Sequence, residues 1–121
     1  MARDSDDINL RQSNPPFMSG VPELLVLRLL ARKEMYGYEL VKAVRVVTGE
    51  AITLGEGVIY PVLHGLERNG SLRARRKAVN GRTRVYYSVT PTGQRRLERL
   101  ADEWSRIRGG IESALEAPQN A

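Results

Sequence analysis

Asn80-Gly81 sits between two runs of alternating residues, Leu72 to Ala78 and Thr83 to Val89. That pair is the preferred occupant of a two-residue type I′ turn, in which both positions take positive φ. The turn dictates which residues face each other: Val79 opposite Arg82, Lys77 opposite Arg84, Arg75 opposite Tyr86 and Arg73 opposite Ser88. In that register Leu72, Ala74, Arg76, Ala78, Thr83, Val85, Tyr87 and Val89 share one face, which is mostly apolar. Arg73, Arg75, Lys77, Arg82 and Arg84 share the other with Tyr86. Both strands sort their residues without adjustment, and a slip of one residue would destroy the sorting. The expected element is an amphipathic ribbon with five cations on its wet side. Protection of an exposed sheet edge by Lys and Arg is the competing reading. It leaves five cations without a counter-charge unexplained.

The ribbon lies within a wider positive segment. Arg68 to Leu97 holds nine basic residues and no Asp or Glu, although the whole chain has 19 Lys and Arg against 14 Asp and Glu. The remainder, ten basic residues (19 less nine) and 14 acidic ones, is mildly acidic. Charge concentrated in one element suits a chain that holds a polyanion at one place.

The 121 residues fit one compact domain. A hydrophobic content of 41% is enough for a core, and no apolar run approaches the roughly 18 residues of a membrane span. Without cysteine there is no disulfide framework, and the single histidine, His64, leaves a zinc site without its usual ligands. No metal, no cofactor and no catalytic group is expected: His64 stands alone, and no carboxylate pair has a catalytic setting. An enzyme is therefore the weakest reading. Residues 1–18 are polar, end near Asn14-Pro15-Pro16 and lack periodicity, as a mobile arm would. A nucleic-acid-contacting tail is the alternative, disfavoured by three aspartates against two arginines. The arm has no apolar region of the kind a secretory signal needs, so the expected location is the cytoplasm, with no membrane partner.

Pro22-Glu23 opens a first helix, with proline and an acid in the first turn. Leu24 to Leu27, Leu29 and Leu30 make it apolar almost all round, so it is buried on more than one side, either by a second subunit or as a central core helix. Tyr36-Gly37 interrupts. A second helix follows from Tyr38 to Thr48 and ends at Gly49. A third spans roughly Glu56 to Asn69, with an apolar stripe of Val58, Ile59, Val62, Leu63 and Leu66. Its opposite face, Gly57, Tyr60, Pro61, His64 and Arg68, exposes a tyrosine, a histidine and an arginine with no carboxylate. DNA contact and an ordinary solvated face are both open for it. Pro61 removes an amide and should bend or loosen the helix start. Thr90-Pro91 caps a last helix whose stripe, Leu97, Leu100, Ala101, Trp104, Ile107, Ile111 and Leu115, recurs every three or four residues. Gly109-Gly110 should weaken it before its last turn. The stripe is longer than so small a domain can cover, which points to a symmetric partner.

Three helices and a basic hairpin, in that order, make a winged helix-turn-helix: mainly α with a small β-hairpin. Pro22-Glu-Leu-Leu-Val-Leu-Arg-Leu-Leu30, Tyr36-Gly-Tyr-Glu-Leu40, Gly57-Val-Ile-Tyr-Pro-Val-Leu63, Leu66-Glu-Arg-Asn-Gly70 and Arg84-Val-Tyr-Tyr-Ser-Val-Thr-Pro-Thr-Gly93 resemble the successive signatures of the PadR transcriptional regulators. The resemblance covers about Ser19 to Leu115. It implies a ligand-responsive repressor that binds a pseudo-palindromic operator as a homodimer. The expected organisation is a flexible arm over 1–18, a winged helix-turn-helix domain over 19–90 and a C-terminal dimerisation helix over 91–116.

The resemblance also implies roles. The third helix would enter the major groove of double-stranded DNA, and the wing would lie along the adjacent backbone or minor groove. Tyr60 matches a tyrosine that relatives present to DNA, while Gly57 and Val58 lie at the helix start beside the phosphates. His64 and Gly65 stand where relatives often have Lys or Arg, so phosphate contacts from this helix should be fewer, and Tyr36 stands where His is common. The wing would add Arg73, Arg75, Lys77, Arg82 and Arg84. The expected dimer interface is Leu25, Leu29, Leu97, Leu100, Trp104, Ile107 and Ile111. Trp104, in Ala101-Asp-Glu-Trp-Ser-Arg-Ile107, resembles the tryptophan that compact members of the family use, one from each subunit, to sandwich planar aromatic effectors; paired indoles offer stacking surface at little entropic cost. A plain packing role for Trp104 is the alternative. For the whole chain the competing function is a winged-helix protein- or RNA-interaction module without operator specificity, which would bind duplex DNA weakly and indifferently.

Overall fold

Proline and glutamate favour a helix start, and helix α1 (Val21–Arg32) begins there, with Pro22 and Glu23 in its first turn. In the computed structural model the described residues are 20–119, so the expected arm over 1–18 lies outside them. Strand β1 (Met35–Tyr36), helix α2 (Gly37–Val47), helix α3 (Glu56–Arg68), strands β2 (Leu72–Val79) and β3 (Arg82–Val89) and helix α4 (Pro91–Glu116) follow in order.

Helix α1 is the central core helix. Val26, Leu27, Leu29 and Leu30 are buried within the protomer, and α1 packs against α2, α3, α4 and β3. The same core takes Leu40 and Val44 from α2, Ile59, Leu63 and Leu66 from α3, Leu54 from the connection, Leu72 and Tyr87 from the sheet, and Leu97 from α4. Two residues expected at a dimer interface are thereby corrected. Leu29 and Leu97 are 6% and 4% exposed in the single protomer, so neither offers surface to a partner. Leu25 and Leu100 are half-buried and pack against this core.

The hairpin forms in the register its turn dictates: Val79 pairs with Arg82, Lys77 with Arg84, Arg75 with Tyr86 and Arg73 with Ser88. Asn80 and Gly81 take φ of 52° and 77°, the positive pair that a type I′ turn needs. The sheet has a third strand that the sequence did not reveal. Met35 pairs with Tyr87 and Tyr36 with Tyr86, giving the antiparallel order β1-β3-β2. Helix α2 accordingly starts at Gly37, one residue earlier than expected, and the Tyr36 amide donates to Glu39 Oε1 at 3.2 Å. Helix α3 stays continuous through Pro61, although proline there leaves the Gly57 carbonyl without its intrahelical donor.

Thr90 alone links β3 to α4. Its hydroxyl accepts from the Gly93 amide at 3.1 Å, as an N-cap should, and donates to the Gly70 carbonyl at 2.6 Å. Its amide donates to the Ser71 carbonyl at 3.0 Å. Gly93 lies so close to that carbonyl that a Cβ would collide with it. One turn further, Arg96 Nε donates to Glu23 Oε1 at 2.6 Å and ties α4 to the start of α1; this bond raises the Arg96 pKa. Helix α4 then runs unbroken through Gly109-Gly110 for 26 residues, about 39 Å. Among the described residues no helix is long and apolar enough to cross a membrane.

Gly93→Ala should destabilise the protein by about 1–3 kcal/mol, because the seat is backbone and cannot give way cheaply. Gly110→Ala, with open space around it, should instead stabilise by up to about 1 kcal/mol. Urea unfolding of the two variants measures both, and a Gly93→Ala protein as stable as wild type would contradict the seat.

Candidate nucleic-acid interface

Strand alternation puts Arg73, Arg75, Lys77, Arg82, Arg84 and Tyr86 on the outer face of the wing, and β1 adds Tyr36 there, beside Tyr86. The two rings meet edge to face, 5.4 Å apart at 73°. Lys77 Nζ lies 4.3 Å from the centre of the Tyr86 ring and Arg84 Cζ 4.5 Å from that of Tyr36. The cations thus rest on an aromatic shelf, where ring faces attract them.

The expectation that these cations lack a counter-charge is corrected. Glu34, between α1 and β1, reaches across the shelf, and its Oε1 accepts from Arg75 Nη2 at 2.7 Å and Lys77 Nζ at 2.8 Å. Those two bonds, Lys77 first, lower the Glu34 pKa below the ordinary carboxylate value. Of the outer-face cations Arg73, Arg82 and Arg84 have no carboxylate partner among the described residues, and of these three only Arg84 rests on a ring.

The inner face of the wing meets α3. Beside them, at the β1–β3 side of the wing, lies an open cleft of about 310 Å³ lined by Gly37, Tyr60, His64, Thr83, Val85 and Tyr87 and, from the outer-face set, by Tyr36 and Arg84. His64, Gly57 and Pro61 are exposed, and Val58 is half-buried. Tyr60 departs from expectation. It is half-buried rather than exposed, and its ring lies over Gly37 so closely that any side chain at residue 37 would overlap it. His64 stands 6.3 Å from it, centre to centre, at the outer lip of the cleft.

Two charged residues near the cleft received no site role in the sequence reading. Arg76 is exposed on the inner face, paired with Val85, and is the lone charge in that set of alternate positions. Glu67 lies seven residues after Tyr60, two helical turns on, so this side of α3 is not free of carboxylate. Burial first, and then the Glu67 charge, push the Tyr87 hydroxyl above its ordinary pKa.

The remaining predicted residues lie away from the wing. Leu100, Trp104 and Ile107 line a small apolar hollow with Gly20, Val21, Leu24 and Glu103, about 80 Å³ in volume. Beyond it, α4 leaves the domain. Trp104, Ile107, Ile111 and Leu115 are 40, 48, 53 and 80% exposed and follow one helical stripe.

This arrangement of helices, wing and projecting helix has close counterparts. The model of the transcriptional regulator PadR-like family matches residues 26–99. The transcriptional regulator Rv3488 of Mycobacterium tuberculosis is 32% identical over 94 residues, which cover 72% of this chain and 85% of that protein. The crystal structure of a PadR family transcriptional regulator from Eggerthella lenta superposes with a TM-score of 0.72 at 27% identity, over 98% of this chain and 99% of that one. Bacillus subtilis PadR in complex with operator DNA shares the fold over 65% of this chain and 45% of its own, with a TM-score of 0.61 at 24% identity. A family match across most of the winged domain, on a fold with the same wing and projecting helix, makes this chain a member of the PadR-like family of transcriptional regulators, a family of regulators rather than enzymes.

Proposed function

We propose that this regulator is a repressor that binds a pseudo-palindromic operator as a homodimer and responds to a planar aromatic ligand. The observation that carries the DNA-binding part is the cleft in which Tyr60 and His64 of α3 face Thr83 and Arg84 of a cationic wing. A helix and a basic ribbon held side by side divide the work of recognition. The helix face, with Gly57 and Val58 at its start and Tyr60 and His64 beyond, reads base edges and sets sequence preference. The wing cations meet phosphates or the minor groove and set affinity and salt dependence. In this reading residues 19–90 are the DNA-binding domain and 91–116 the dimerisation helix. Operator binding is what is described for the Bacillus subtilis relative.

The projecting half of α4 supports the dimer. Four large apolar side chains on one stripe of an otherwise solvated helix are a surface that a second copy covers most economically. Leu25, half-buried on α1, and Leu100 would flank that contact. The effector site depends on it too. The hollow beside Trp104, at about 80 Å³, falls well short of the roughly 300 Å³ of a small-molecule site. A second Trp104 across the interface would complete it.

Arg82→Ala should flatten the dependence of log K on log salt by about one unit per contacting subunit and weaken operator and random duplex alike. His64→Ala should leave the slope nearly unchanged and narrow the gap between the two by roughly 1 kcal/mol or more. Both are read in fluorescence-anisotropy titrations over a salt series. Equal affinity of the wild type for operator and random DNA would instead fit a winged-helix module without operator specificity.

Ile107→Asp places a charge in the proposed interface, at a cost of several kcal/mol if it is buried unpaired. Sedimentation should show a folded monomer, and an unchanged dimer would remove α4 from the interface. Trp104 is the single tryptophan, so planar aromatic ligands should quench the protein's indole emission. Trp104→Ala should weaken their binding by about 1–3 kcal/mol and spare DNA binding. Emission that no member of a broad aromatic panel quenches would leave Trp104 a packing residue.

A further inference from the structure

We propose that Glu34 is a built-in competitor of the DNA backbone, occupying in the free protein the place between Arg75 and Lys77 that a phosphate oxygen takes in the complex. This rests on the reading of the wing as the phosphate-binding element. The geometry is that of an anion site already filled. One oxygen, Glu34 Oε1, accepts from both Arg75 Nη2 and Lys77 Nζ, at 2.7 and 2.8 Å. A guanidinium and an ammonium converging on one anionic oxygen is how these side chains take a phosphate.

The carboxylate is brought there by the fold. Glu34 precedes β1, whose backbone is fixed as the third strand by pairing with Tyr86 and Tyr87. From just before that strand its side chain reaches two residues of β2, beyond β3 in the sheet and 41 and 43 positions away in sequence. Lys77 is also held over the Tyr86 ring, which fixes its ammonium beside Glu34. The site remains open to water, since the Arg75 side chain is 62% exposed. Pairs of this kind are weak and exchange their partners readily. A phosphate can therefore displace the carboxylate without unfolding anything.

Two consequences follow. Cations already neutralised by a carboxylate release fewer counter-ions when they meet phosphate, so this pair adds less to the salt dependence than two free cations would. The displaced carboxylate also stays near the phosphate and repels it. Glu34 thus restrains the sequence-independent part of DNA binding and leaves discrimination to α3.

The test uses the full chain and a random-sequence duplex of about 30 base pairs, so no operator is needed. Glu34→Gln should bind several-fold more tightly than wild type, and its log K against log salt should be steeper by about one unit per contacting subunit. Glu34→Asp, which keeps the charge, should stay near the wild-type slope. Adding Arg75→Ala and Lys77→Ala to Glu34→Gln should abolish the gain. A Glu34→Gln protein that binds with unchanged affinity and slope overturns the competitor. So does weaker binding, which would make Glu34 a support for the wing. A wild-type protein that binds no duplex in this assay overturns the DNA-binding reading itself, and the competitor with it.

Discussion

Side chains alternate along a strand, so the pairing of β2 with β3 decides at one stroke what enters the core and what meets water. Two residues set that pairing, Asn80 and Gly81, by taking the positive φ values that bring the strands back in a two-residue turn. Shifted by one position, Tyr87 and Leu72 would leave the core and arginines would enter it. The cost of burying unpaired guanidinium groups excludes that alternative. Everything on either side of the ribbon inherits the choice. Helix α3 packs against the inner face, the cleft opens beside Val85 and Thr83, and Glu34 finds its partners on the outer face.

Features written in neighbouring residues are legible in the sequence. The hairpin and its register, the Thr90 cap, the ends of α3 and the stripe along α4 all depend on contacts within a few positions. What escaped depends on distance. Strand β1 has two residues, too few to show a period, and its partners are some fifty positions away. The charge map of residues 68–97 contains no acid, yet its counter-ion folds in from position 34. A charge balance counted along the chain cannot see that. Leu29 and Leu97 carried the right apolar signal for an interface, but burial against another helix of the same protomer gives the same signal.

Tyr60 is instructive for the site. Its place opposite the apolar stripe of α3 suggests a ring in solvent, and the ring is half-buried. The space comes from Gly37, at the first turn of α2, where the absence of a side chain admits it. The motif containing Gly37 and the motif containing Tyr60 are therefore two halves of one contact. That contact sets how α2 and α3 cross, and with it the angle at which His64 is presented. The hydroxyl end of the tyrosine packs on Gly37 while the residue still lines the cleft.

The seat of α4 has a mechanical consequence. Ser71 before β2 and Thr90 after β3 are bonded to each other, and Gly93 rests on the same carbonyl, so the root of the wing and the first turn of α4 are one solid joint. Packed on α1 as far as the hollow at Trp104, the helix then extends as a lever of about 18 Å, and a tilt of about 10° displaces its tip by about 3 Å. If two chains join along α4, as proposed, the span between their wings is set at this joint. Small angular changes along helices so joined would then reach the wings as displacements comparable to the roughly 3.4 Å rise between neighbouring phosphates.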